Sequence, residues 1–80
     1  MIMTKGWLRC SILKGVFSDE CVVKIKERSF FVNRDQVQGN VDQTGRVSVR
    51  ILKKDNLVWA MLPGEDGSMI QVSPEDLEAA

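Results

Sequence analysis

Eighty residues with eleven basic and eleven acidic side chains, no histidine and 44% apolar content describe one small domain of zero formal charge. A chain this short has apolar material for one modest core, and its neutrality argues against a surface given over wholly to nucleic acid. With no histidine the usual base of a nucleophilic triad is missing, and two cysteines cannot build a cysteine-rich zinc site, so no catalytic, metal-binding or cofactor-binding residue is assigned.

The N-terminal Met-Ile-Met-Thr-Lys-Gly has no basic region leading into a long apolar run, so no signal peptide is read there. No stretch approaches the roughly 18 apolar residues that span a bilayer, so no membrane partner is expected and the cytoplasm is the default compartment. Leu8-Arg9-Cys10-Ser11-Ile12 then alternates apolar and polar with period two, as a half-buried strand does. Gly15 and Ser18-Asp19-Glu20 are turn signals. A second alternating strand follows, with Cys21, Val23 and Ile25 inward and Val22, Lys24 and Lys26 outward. Glu27-Arg28-Ser29 turns the chain into a short strand at Phe30-Phe31-Val32. Asn33 suits the cap of a helical turn at Arg34-Asp35-Gln36, after which Val37 folds back on the core.

Beyond Gly39-Asn40 and a loop to Gly45, Val47, Val49 and Ile51 alternate with Ser48, Arg50 and Leu52 in a fourth strand. Lys53-Lys54-Asp55-Asn56 reads as a tight hairpin turn and Leu57 to Met61 as the fifth strand. Pro63-Gly64-Glu65-Asp66-Gly67-Ser68 is the clearest loop, and Met69 to Val72 the sixth strand. Ser73 caps a helical turn whose first residue is Pro74, where the missing N–H costs nothing, and Leu77 packs back. The Glu78-Ala79-Ala80 tail is expected to fray.

Two halves, residues 7–38 and 46–78, follow one plan and are expected to share one core within a single domain spanning 1–80. Leu8, Cys10 and Ile12 match Val47, Val49 and Ile51; Cys21, Val23 and Ile25 match Leu57, Trp59 and Met61; Phe30, Val32, Asn33 and Val37 match Ile70, Val72, Ser73 and Leu77. The differences in spacing fall in turns, where length is cheap. The fold expected is all-β, a small barrel or rolled antiparallel sheet of about six strands made of two pseudo-repeats, each ending in a short helical turn. Strand count and helical turns resemble SH3-like barrels in general. That resemblance is architectural and implies no activity.

The comparison assigns faces: Gln71 belongs in water, so Phe30 points in and Phe31 out. Trp7, Leu13, Val22, Phe31, Leu52 and Val58 form the outward apolar set. From it Trp7, Leu13, Phe31, Leu52 and Val58 are the candidate protein interface, for another protein or for a homodimer. Residues 1–40 carry seven basic and four acidic side chains and residues 41–80 four and seven, so opposite-signed halves could meet across a two-fold axis. The alternative function is nucleic-acid binding through Lys14, Lys24, Lys26, Arg28 and Arg34, with Lys24, Lys26 and Arg28 as successive outward positions of one strand and the ring of Phe31 for base stacking. The third alternative is a small structural protein with no separable ligand site. The acidic pairs Asp19-Glu20, Glu65-Asp66 and Glu75-Asp76 fall in turns and caps, where acids have local roles. Cys10 and Cys21 read as buried free thiols.

Overall fold

Alternation with period two, interrupted by turns, makes the chain a succession of antiparallel hairpins. The computed structural model describes residues 2–64 and 67–79; the Glu65-Asp66 pair and the last residue of the tail lie outside them. The strands are β1 (Ile2–Lys14), β2 (Glu20–Ile25), β3 (Arg28–Asn33), β4 (Val37–Gln38), β5 (Thr44–Lys54), β6 (Leu57–Met61), β7 (Met69–Gln71) and β8 (Leu77–Ala79). Short 3-10 turns at Arg34–Gln36 and Pro74–Asp76 precede β4 and β8. The hydrogen-bonded order is β3-β2-β1-β5-β6-β7, with β4 on β5 and β8 on β1. The protein is thus an all-β antiparallel fold, SH3-like in general character, with two pseudo-repeats.

The chain forms two compact units: Arg9–Val47, and Met1–Leu8 with Ser48–Ala80. In the first, β4 pairs with the opening of β5, Val37 opposite Val47 and Gln38 opposite Arg46. In the second, β8 pairs with the opening of β1, Leu77 opposite Leu8 and Glu78 opposite Trp7. Each repeat therefore ends on the first strand of the other repeat. This exchange is why β1 begins at Ile2 rather than at Leu8: a closing strand needs a partner upstream of the alternating run.

Cys10, Ile12, Cys21, Val23, Ile25, Val32 and Val47 are buried in the first unit. Leu8, Val49, Ile51, Leu52, Ala60, Leu62, Ile70 and Val72 are buried in the second. Phe30 is half-buried and Phe31 exposed, as the match with Ile70-Gln71 predicts. The sixth-decade assignment is corrected. Ile12 lies opposite Val23, and its equivalent Ile51 lies opposite Ala60. Cys21, Val23 and Ile25 therefore correspond to Val58, Ala60 and Leu62, not to Leu57, Trp59 and Met61. One residue of slip exchanges the faces of a strand. Val58 is on the inward register and half-buried, while Trp59 stands on the outer face.

The hairpins turn where the backbone is left-handed. Asp55 and Asn56 both have positive φ, 52° and 66°, which is the two-residue turn that matches strand twist, with Lys53 and Lys54 still inside β5. The β2–β3 hairpin turns at Lys26-Glu27, one residue earlier than the sequence suggests, with Ile25 opposite Arg28 and Lys26 at φ 56°. A lysine held there costs about 1 kcal/mol. Lys26→Gly is expected to raise unfolding stability by about 0.5 kcal/mol, the relief being offset in part by glycine's freer unfolded chain. The urea midpoint should rise with unchanged slope; a lower midpoint would show that the lysine does something else. Asn33 and Ser73 stand at the starts of the 3-10 turns as expected, yet neither side chain makes a capping hydrogen bond. At Ser73 the backbone closes the turn instead, Asp76 N–H donating to its carbonyl at 3.0 Å.

Candidate functional site

On the outer face of β1, β2 and β3, residues of the same parity line up in rows across the strands. Leu13 lies opposite Val22, and Val22 opposite Phe31, so three predicted outward residues form one continuous apolar row. Phe31 is 62% exposed and Leu13 38%, with Val22 half-buried between them. On one side runs the polar row Ser11, Lys24, Ser29; on the other, Glu20 faces Asn33. The β1–β2 loop at that second end carries Val16 and Phe17, both far more exposed than any residue of the core. It is tied down by Glu20 N–H donating to the Phe17 carbonyl at 3.1 Å. Sequence reading passed over this pair inside a turn, although the signal was available: two large apolar residues between Gly15 and Ser18 have no alternating register to bury them.

The second unit has an equivalent row that ends differently. Leu52 lies opposite Trp59, and Trp59 opposite Gln71. An indole stands where the first unit has Val22, and an amide where it has Phe31. Leu52 is accordingly only 8% exposed, so its reading as an outward interface residue is corrected. Its cross-strand neighbour on β6 is the half-buried Trp59. Trp7, on the outer parity of β1, is likewise half-buried opposite Glu78 rather than free-standing. Of the candidate interface residues, the structure brings Leu13 and Phe31 together, with Val22. It places Leu52 and Val58 in the second unit.

The predicted cationic strand face does not assemble as one row. Lys24 is on the outer face of β2, whereas Lys26 is in the turn and Arg28 begins β3 opposite Ile25, on the inward parity. The Arg28 guanidinium lies over the ring of Phe30, 5.0 Å from its centroid. Arg34 is drawn inward as well: its Nη1 donates to the Cys21 Sγ at 3.3 Å, and its backbone N–H to the Asp19 carbonyl at 2.9 Å. Lys14 pairs with Cys21 at the exposed end of β1. The early turn at Lys26 is the physical reason, since it moves Arg28 onto the next strand and the other side.

Cys10 and Cys21 are both buried and free. Burial disfavours the thiolate and raises the Cys10 thiol to about 11. A group whose folded pKa lies above its unfolded value binds the extra proton in the native state. Its contribution is therefore complete below about pH 9 and lost as pH rises through about 11. Native protein at pH 7.5 should react with a thiol reagent at Cys10 at least about a hundredfold more slowly than unfolded protein. Fast native labelling at Cys10 would show that the thiol is reached without unfolding.

Among the described residues no three of His, Cys, Asp or Glu group as a metal site, and no helix is long and apolar enough to cross a membrane. No family model, curated protein or solved structure matches the chain.

Proposed function

We propose that this chain is a protein-binding module that works through the outer face of its first unit. The observation carrying this reading is the row Leu13, Val22, Phe31, an ordered apolar strip on a rigid sheet next to the exposed pair Val16 and Phe17. Scattered apolar residues on a surface are ordinary, but a cross-strand row with an exposed aromatic at its end has the make-up of an interface centre. Lys24 with its flanking serines on one side, and Glu20 with Asn33 on the other, supply a polar rim. The cations that would serve a nucleic acid are dispersed over two faces and a turn, and two of them are occupied by Phe30 and Cys21.

The test is panning of a random peptide library against the intact chain, followed by amide chemical-shift mapping of the binders. Bound peptides should shift Leu13, Val22 and Phe31. The double variant Leu13→Ser with Phe31→Ser should bind at least about thirtyfold more weakly, each side chain being worth about 1 kcal/mol or more of burial. Binders whose shifts instead map to Leu52, Trp59 and Gln71 would overturn the assignment of the face.

A further inference from the structure

The first unit also presents an unfinished sheet edge, and the two features share Phe31. β3 stands at the end of the strand order. Its pairing with β2 continues into the bond from Arg34 N–H to the Asp19 carbonyl. In an antiparallel ladder all such bonds join residues of the closely paired type, and these alternate. Arg34 with Asp19, Val32 with Cys21, Phe30 with Val23, and Arg28 with Ile25 are therefore the hydrogen-bonded pairs. It follows that the backbone N–H and C=O groups of Ser29, Phe31 and Asn33 face away from β2. Among the described residues these groups have no backbone partner. A row of unused donors and acceptors next to an exposed aromatic asks for another strand.

We infer that the occupant is a second copy of this chain, added edge to edge through an antiparallel β3–β3 pair with Phe31 opposite Phe31. The inference rests on the proposed binding role of this face and names its partner. Three properties of β3 fit a copy of itself. With Phe31 on the two-fold axis, Ser29 of each copy meets Asn33 of the other, so all three open positions on both strands are paired. The same register joins Leu13, Val22 and Phe31 end to end with their counterparts, giving one apolar row across a continuous sheet of six strands from the two first units. It also places the row that contains Lys24 in line with the row that contains Glu20 of the other copy, with Ser29 and Asn33 between them, so that opposite charges close the two ends of one polar row at three strand spacings, about 14 Å, from each other. At each end this register sets Arg28 opposite Arg34 of the other copy on the inward face, a like-charge pair that opposes association, with the Arg28 guanidinium over Phe30 and the Arg34 guanidinium donating to Cys21.

The second unit provides an internal comparison. Its edge strand β7 has three residues, and Gln71 stands at the position of Phe31. The same architecture thus has one edge with an aromatic anchor and one without.

The experiment uses the intact chain and three variants, Phe31→Lys, Ser29→Cys and Asn33→Cys, each at an exposed site of β3. Sedimentation equilibrium should find a concentration-dependent dimer of the unmodified chain. Phe31→Lys should raise its dissociation constant by about a hundredfold or more, since each dimer loses two buried rings. Thermal unfolding of the monomeric variant confirms that it is folded. Close antiparallel pairs hold their Cα atoms about 5.5 Å apart, within reach of a disulfide. Mild oxidation of Ser29→Cys mixed with Asn33→Cys should therefore give a mixed covalent dimer, and neither variant alone should cross-link comparably. A dimer that survives Phe31→Lys, or that yields no mixed disulfide, overturns the edge pairing. A monomer at millimolar concentration overturns self-association itself. In that case, peptides that still map to Leu13, Val22 and Phe31 leave the binding role standing, whereas loss of both removes it.

Discussion

Replacing Gly45 by alanine should destabilise the protein by about 2–3 kcal/mol, and Gly6→Ala should cost a similar amount at the matching place in the other unit. A Cβ on Gly45 would overlap the Gln38 carbonyl oxygen and the Ile12 Cδ1. On Gly6 it would overlap the Ile51 Cδ1 and come within 2.7 Å of the Glu78 carbonyl oxygen. The two sites are equivalent: each glycine lies beside the closing strand of its unit, and each is filled by the isoleucine of a first strand. A side chain can move away from a methyl group, but the carbonyls of Gln38 and Glu78 belong to β4 and β8 themselves. Accommodating alanine therefore means lifting β4 from Val47 and Arg46, or β8 from Leu8 and Trp7. Lifting β4 also strains the pair of hydrogen bonds, 2.9 and 2.6 Å, that the Arg46 guanidinium donates to Gln38 Oε1. For a domain whose size implies about 4–12 kcal/mol of total stability, this is a large fraction. Chemical denaturation of the two variants measures it directly. A loss below about 0.5 kcal/mol at both sites would mean that the closing strands are loosely held.

These glycines mark what the sequence could and could not disclose. The alternation of Leu8, Cys10 and Ile12, and again of Val47, Val49 and Ile51, was enough to place two first strands and their inward faces, because a half-buried strand writes its register into every second residue. The helical turns were legible from Asn33 and Ser73-Pro74, though the side chains do not cap. β6 was not legible in the same way: Leu57, Val58, Trp59, Ala60 and Met61 are all apolar, so either parity satisfies a hydrophobic pattern. Matching the large Trp59 to buried Val23 chose bulk over space, and the position opposite Ile51 takes only Ala60, which has no exposed surface. That single choice displaced Val58, whereas Leu52 keeps the outward register that the alternation of β5 gives it and is buried all the same. The exchange of closing strands left only a faint trace, a glycine one residue before Trp7 and another before Arg46. The apolar row was untouched by the correction because alternation places Leu13 and Val22 outward and the match of Phe30-Phe31 with Ile70-Gln71 does the same for Phe31. Lys26 and Arg28 were misplaced, because a two-residue turn formed by Lys26 and Glu27 has none of the usual glycine or asparagine signal.

Ile12→Ala should be the most damaging single change, about 3–4 kcal/mol, because Ile12 has no exposed surface and its truncation leaves a cavity under the closing strand. Its Cδ1 fills the space left open by two glycines, lying 2.9 Å from where a Cβ on Gly39 would be and in overlap with one on Gly45. Its backbone is engaged as well, Ile12 N–H donating to the Gln43 carbonyl at 3.0 Å and its carbonyl accepting from Asp42 N–H at 2.7 Å. The loop that delivers Gly45 to β4 is thus anchored on the residue whose side chain Gly45 makes room for. Coupling between the two sites follows, and a double-mutant cycle measures it. Ile12→Val removes the Cδ1 at a cost of about 1 kcal/mol, and it removes one of the two obstacles to Gly45→Ala. The double variant should therefore be about 1 kcal/mol more stable than the sum of the single losses implies, while still well below the unmodified chain, since the Gln38 carbonyl is untouched. Strict additivity would say that the backbone clash alone sets the cost at Gly45. Complete rescue would say that β4 was never the obstacle, and that the glycine is kept for the isoleucine.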